Sequence, residues 1–128
     1  MYTVSVRRSL IAQHFLTVPD PGPEGDLHSH QFTVVVEFEG ESLGEYGYLV
    51  DIDAINAALD DVVETYADTT LNDRPSFEGL NPSVEHFSRI VCEHVLDRAA
   101  PTTPDRIRVR IWEDDDAFAS YERPLADR

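Results

Sequence analysis

A chain of 128 residues with 41% hydrophobic residues can build one compact core but not two, so a single domain spanning residues 1–128 is expected. With 25 acidic residues against 10 basic ones, the formal net charge of −15 repels phosphate backbones and anionic lipid surfaces, which argues against nucleic-acid and membrane-surface partners. No stretch approaches the ~20 apolar residues of a membrane span, the first residues lack the features of a signal peptide, and the lone Cys92 has no internal disulfide partner, so a cytoplasmic location is expected.

Residues 2–15 alternate loosely and are rich in Val, Ile and Ser, as a first strand would be. Pro19, Pro21, Pro23, Gly22 and Gly25 then force a loop over 17–25. From His28 to Glu39 the alternation is clean, with Phe32, Val34, Val36 and Phe38 on one face and Gln31, Thr33, Val35, Glu37 and Glu39 on the other. A turn carrying Gly40, Gly44 and Gly47 leads to Tyr48-Leu49-Val50. Ile52, Ile55, Leu59, Val62, Val63 and Tyr66 next fall at helical spacing, with Asp53 as the expected N-cap.

A polar connection over 67–80 follows. Asn81-Pro82-Ser83-Val84-Glu85 predicts a second helix with Asn81 as cap, Pro82 at its first position and Glu85 in its first turn. Its apolar face is Val84, Phe87, Ile90, Val91 and Val95, and it should stop near Ala100, ahead of Pro101 and Pro104. Ile107, Val109 and Ile111 alternate with Arg106, Arg108 and Arg110 as a third strand, and 117–123 makes a short fourth. Two amphipathic helices need one sheet face to cover, so the order predicts an α+β fold: an antiparallel four-stranded sheet with two helices on one face.

All 10 basic residues are Arg and none is Lys, while the acids spread along the whole chain. Such a composition suits either a salt-loving organism, where near-molar salt shortens the Debye length to ~3 Å and mutes self-repulsion, or a GC-rich genome that favours Arg codons.

His14 lies on the first strand and His28 and His30 open the second. Residues i and i+2 of a strand face the same side, so two imidazoles can converge and a third, from the antiparallel neighbour, can complete a pyramid. Three His ligands with one open position describe a catalytic zinc site. Surface or core histidines are the other reading of the same pattern. His86 and His94 on the second helix read as exposed or partly packed imidazoles. Gly22-x5-His28-x-His30 also matches the opening of the cupin metal motif, but Val34 and Val35 stand where that motif wants a Glu, and two long helices do not suit a jelly roll.

From Tyr2 to Tyr121 the chain resembles the 6-pyruvoyl-tetrahydropterin synthase and 6-carboxy-tetrahydropterin synthase family. The landmarks are a His on the first strand followed by an H-x-H pair (His14, then His28-Ser29-His30), Val50-Asp51-Ile52 before the first helix, Leu71-Asn72-Asp73 after it, the helix start Asn81-Pro82-Ser83-Val84-Glu85, and Glu113 ending the third strand. The resemblance implies the tunnelling fold, with sheets joined into barrels in a homo-oligomer (a trimer or a dimer of trimers) and active sites between subunits. It implies Zn2+ held by His14, His28 and His30, and a small-molecule pterin substrate, dihydroneopterin triphosphate. It further implies Glu113 on the pterin ring's N–H edge, with Ser83 and Glu85 as companions. A carboxylate facing two ring donors forms a bidentate, charge-assisted contact suited to a guanidine-like edge.

The family's acid–base positions are changed here. Four residues before the H-x-H pair, where the family's Cys moves protons, stands Glu24, and the Asp-His pair that precedes the L-N-D step is replaced by Ala67 and Asp68. A carboxylate can replace a thiolate as general base next to a metal-polarised group, and some family members carry Glu here and leave 6-hydroxymethyl-dihydropterin. Glu24 and Asp68 are thus the candidate acid–base residues, with a solvated loop acid as the other reading of Glu24. A non-catalytic zinc- and pterin-binding homologue is the alternative function. Ser29 in place of Gly is tolerable unless the backbone there needs φ > 0. Arg7, Arg8 and Arg74 are candidate phosphate clamps on this anionic chain.

Overall fold

Alternation along Tyr2–His14 and His28–Gly40 builds strands β1 and β2, which pair antiparallel from Tyr2↔Gly40 to His14↔His28. The structure, a computed structural model, describes residues 1–125. Helices α1 (Ile52–Tyr66) and α2 (Val84–Ala99) follow, then strands β3 (Arg106–Trp112) and β4 (Phe118–Pro124), in an antiparallel sheet of order β1-β2-β3-β4. Among the described residues no helix is long and apolar enough to cross a membrane.

Period-two patterning sends Leu10, Ala12, Phe32, Val34, Val36, Phe38, Ile107, Val109 and Ile111 to one face, where all are buried. Ile55, Ala58, Leu59, Val62 and Tyr66 of α1 and Phe87, Ile90, Val91, Cys92 and Val95 of α2 close over that face. Burial raises the Cys92 thiol pKa to about 11, so at neutral pH it behaves as a small apolar residue. Ile52, expected on the buried stripe, is half exposed at the helix start.

Phe32 is wholly buried, with Phe87, His14 and His30 around its ring at 5.3, 5.8 and 5.5 Å between centroids. Truncation there removes core packing and a wall of the histidine cluster together. Phe32→Ala is expected to cost about 3–5 kcal/mol, read as a fall in the urea midpoint.

The other sheet face places arginines opposite glutamates, since Glu37↔Arg108 and Glu39↔Arg106 pair across β2 and β3 and Arg108↔Glu122 across β3 and β4. Arg106 is ion-paired to Glu39 and Glu122, Arg108 to Glu37 at 2.9 Å and Glu122 at 3.2 Å, and Arg110 to Glu37 at 3.4 Å. Glu37, Glu39, Arg108 and Arg110 are each less than one-third exposed at the side chain, and linking them into a ladder makes the network worth more than isolated surface pairs.

Both predicted caps shift. Asp51, not Asp53, caps α1: its Oδ1 accepts from the N–H groups of Asp53 (3.0 Å) and Ala54 (3.3 Å), which leaves Asp53 in the first turn as a dipole-compatible acid. Ser83, not Asn81, caps α2, accepting from the His86 N–H at 3.1 Å, so Pro82 stands just before the helix. Asn81 is unavailable because its side-chain oxygen accepts from the Thr17 N–H at 2.8 Å. The 67–80 connection is less polar in effect than its composition suggests: two single-turn 3-10 helices, Leu71–Asp73 and Pro75–Phe77, bury Leu71 and Phe77 completely or nearly so. Ser29 lies within β2 and has no positive φ, so its Cβ is accommodated without strain.

Candidate metal centre

The β1/β2 register sets His14 directly opposite His28, and His30, two residues along β2, shares their face. Ring centroids lie 4.6 Å (His14–His28), 5.2 Å (His14–His30) and 4.9 Å (His28–His30) apart, a near-equilateral triangle at one end of the core. Nδ1 of His14 donates to the Pro82 carbonyl at 2.9 Å, and Nδ1 of His28 to the Asp26 carbonyl at 2.7 Å. A carbonyl only accepts, so both rings carry their proton on Nδ1 and turn the Nε2 lone pair inward. The Nε2 atoms of His14, His28 and His30 are all buried without a hydrogen-bond partner. Three orphaned lone pairs converging on one point, with carbonyls fixing the outer nitrogens, fit a divalent metal of the zinc type.

Glu24 joins them from a 3-10 turn, Gly22–Gly25, whose position is set by a hydrogen bond from the Leu16 N–H to the Glu24 carbonyl at 2.9 Å. Gly22 enters that turn at φ 65°, where a Cβ would be strained. The donor atoms of His14, Glu24, His28 and His30 all lie within 4.8 Å of one another.

Glu113 falls just past the end of β3 and brings Oε1 to 3.3 Å from His30 Nε2. Beside it opens a cavity of about 220 Å³ lined by Glu85, Glu113, Asp114 and Phe118, among others. Glu85 and Glu113 therefore line one cavity, which is linked to the histidines through the Glu113–His30 contact. Ser83 is adjacent in sequence to Pro82, whose carbonyl holds His14, and its hydroxyl is engaged as the α2 cap. Asp68 is apart from the four-group cluster: it is exposed, at φ 60°, and its N–H donates to the Ile11 carbonyl on the free edge of β1 at 2.7 Å. Of the candidate phosphate clamps, Arg8 is taken by Asp60 at 2.9 Å, Arg7 lines a separate cavity with Thr33, Trp112, Asp114 and Asp115, and Arg74 buries an unpartnered Nε. His86 is half buried, with Nδ1 on the Asn81 carbonyl at 2.9 Å, and His94 packs edge-on to Tyr66.

Several supporting groups escaped the sequence reading. Asn72 clamps both backbone groups of Phe15, the residue after His14, at 3.0 and 2.9 Å, and Asn81 holds Thr17. The L-N-D and N-P landmarks thus pin the chain just beyond the first histidine. The signal was two asparagines in a connection. The carbonyls of Asp26 and Pro82 left no side-chain signal at all.

Burial holds the His14 imidazole below its ordinary pKa of 6.5, outweighing the Pro82 hydrogen bond, with His28 and His30 adding to the lowering and Glu113 opposing it. In the unfolded chain His14 returns to about 6.5, so below that pH the unfolded state binds a proton that the folded state resists, and stability falls. Metal-free protein should therefore hold its stability above pH ~7 and lose it as the pH drops through 6.5. Urea midpoints measured on both sides of that value check this, with a smaller difference expected in His14→Gln.

A family model described as 6-pyruvoyl tetrahydropterin synthase matches residues 3–124. The chain belongs to the 6-pyruvoyl tetrahydropterin synthase family. A Pyrococcus abyssi protein named "Putative 6-carboxy-5,6,7,8-tetrahydropterin synthase" is 28% identical over 150 aligned positions, covering 95% of this chain and 94% of that protein. The Caenorhabditis elegans 6-pyruvoyl tetrahydropterin synthase structure superposes with a TM-score of 0.78 at 20% identity, covering 96% of this chain and 97% of that one. A Plasmodium vivax 6-pyruvoyltetrahydropterin synthase, solved as a catalytic residue mutant with glutamate changed to alanine, gives a TM-score of 0.81 at 13% identity, covering 97% and 98%. These structural likenesses carry the tunnelling fold of the family: the four-stranded antiparallel sheet and its two helices.

Proposed function

We propose that this chain is a zinc-dependent enzyme acting on dihydroneopterin triphosphate: a carbon–oxygen lyase of the 6-pyruvoyl- or 6-carboxy-tetrahydropterin synthase type, or a variant leaving the hydroxymethyl product. The observation that carries this is the convergence of three orphaned Nε2 atoms, with His30 in contact with Glu113, which together with Glu85 walls a cavity. Family membership and the archaeal relative's name add to it.

His14, His28 and His30 would hold the zinc, which when bound polarises oxygens on the substrate side chain and eases removal of an adjacent proton. Glu113 accepts from the N–H edge of the pterin, and Glu85 lines the same cavity; Ser83, at the head of α2, keeps that helix start in place. Glu24 is the proton-moving group, lying 2.7 Å from His28 Nε2, and the Plasmodium vivax protein's description names a glutamate as a catalytic residue. Asp68 is a candidate partner only through its place before Leu71, since it lies apart from the cluster. A homo-oligomer, trimer or dimer of trimers, is supported by β1, whose outer edge, among the described residues, is covered only near its end, by the segment around Asp68 to Thr70. Uncovered edges seek a strand, and head-to-tail pairing closes into a ring.

The alternative is a non-catalytic zinc- and pterin-binding homologue, favoured by Ala67 and Asp68 where the family has Asp-His. The deciding experiment incubates zinc-loaded protein with dihydroneopterin triphosphate in near-molar salt and resolves products by mass, with Glu24→Ala alongside. A pyruvoyl, carboxy or hydroxymethyl product that disappears in the variant is expected. Zinc and pterin binding without any product would establish the alternative instead.

A further inference from the structure

Resting on the metal centre proposed above, we infer that Glu24 is a fourth ligand of the metal in the substrate-free protein, so that the centre rests closed and opens only when substrate displaces the carboxylate. The contact between Glu24 Oε2 and His28 Nε2 is 2.7 Å. His28 carries its proton on Nδ1, which is committed to the Asp26 carbonyl at 2.7 Å, so Nε2 is an acceptor. Two acceptors at that separation repel unless positive charge lies between them. A proton on Nε2 would make an ordinary N–H···O bond, yet Nε2 of His28 makes no hydrogen bond of acceptable geometry. A cation shared with the other two imidazoles removes the conflict. Metal bonds of about 2.0–2.2 Å in a tetrahedron set neighbouring ligand atoms roughly 3.3–3.6 Å apart; all four donor atoms fall within 4.8 Å of one another, and the half-exposed Glu24 carboxylate, 2.7 Å from His28 Nε2, would draw back to that spacing to share an ion.

Glu113 does not fill this role. It approaches His30 alone, at 3.3 Å, and stands outside the mutual grouping, on the side of the cavity. The two carboxylates flanking the histidines thus divide the work: Glu24 faces the ion and Glu113 faces the cavity. The Glu24 side chain is 50% exposed, and among the described residues its carboxylate has no partner besides His28, so it is free to swing away from the cluster. A carboxylate released in this way leaves one coordination position free, the condition that separates a catalytic site from a structural one.

The test measures zinc affinity by chelator competition and the visible spectrum of the Co2+-substituted protein, in wild type, Glu24→Ala, Glu24→Gln and Glu113→Gln. Loss of Glu24 is expected to weaken zinc binding at least as much as loss of an outer-shell partner does, about 10–100-fold, and to change the Co2+ spectrum. Glu113→Gln should leave both near wild type. Addition of a pterin to the wild-type Co2+ protein should move its spectrum toward that of Glu24→Ala. Unchanged affinity and spectrum in both Glu24 variants would overturn the fourth-ligand assignment while leaving a proton-transfer role for Glu24 intact. A wild-type protein that takes up neither metal would overturn it together with the metal centre.

Discussion

His30→Ala is expected to lower zinc affinity by two to three decades and to take turnover to background, while the metal-free protein stays nearly as stable as wild type. Structural zinc sites bind with about 10–16 kcal/mol, which over four ligands is roughly 2.5–4 kcal/mol each, or about two to three decades. His30 isolates the metal contribution because, unlike His14 and His28, it has no hydrogen bond from Nδ1 to a backbone carbonyl among the described residues. His14→Ala makes the contrast. That ring is 2% exposed and ties β1 to the start of α2 through the Pro82 carbonyl, so its removal leaves a buried acceptor unsatisfied as well as a void. An unsatisfied buried group alone costs about 1–3 kcal/mol. Both variants should therefore fail in chelator competition, but only His14→Ala should unfold at distinctly lower urea in the presence of EDTA. Equal zinc affinity in wild type and His30→Ala would remove the metal centre from the proposal.

The difference between these histidines also marks how far the sequence can be read. The strand His28–Gly40 was legible because its inward residues from Phe32 to Phe38 are all large and apolar and its outward ones are nearly all polar, and the same period put His28 and His30 on one face. The partnership of His14 with His28 depended on register, which in a long-loop hairpin is set by the buried pattern of both strands and not by a short turn. Both helix starts were read two residues out for a related reason. Asp51 and Asp53 are chemically identical caps on paper, and only the extended backbone at Asp51 lets its oxygen reach the first free N–H groups. Asn81 looked like a cap because Asn suits that position, but the competing Thr17 amide lies 64 residues away in sequence and is invisible to any local pattern. Carbonyl partners of the imidazoles are harder still, since every residue has a carbonyl and only tertiary packing selects those of Asp26 and Pro82.

Glu113→Gln should raise the dissociation constant for a pterin by roughly two decades without weakening zinc binding. A carboxylate accepts from two ring N–H groups at once, and hydrogen bonds to a charged group are worth about 1.5–3 kcal/mol each. The amide keeps one acceptor oxygen but sets an NH2 group against a ring donor, so one bond is lost, the other loses its charge assistance, and two donors face each other. Ring fluorescence of an oxidised pterin titrated with zinc-loaded protein reports the affinity directly, and chelator competition on the same samples reports the metal. Glu113→Asp, one methylene shorter, should fall between wild type and Gln because the charge survives while the reach does not. A solvated acid beside Asp114 would behave otherwise: its neutralisation on a chain already carrying −15 would slightly help an anionic ligand to bind. A fall in affinity therefore marks Glu113 as a direct contact, and a small rise would return it to the solvated surface.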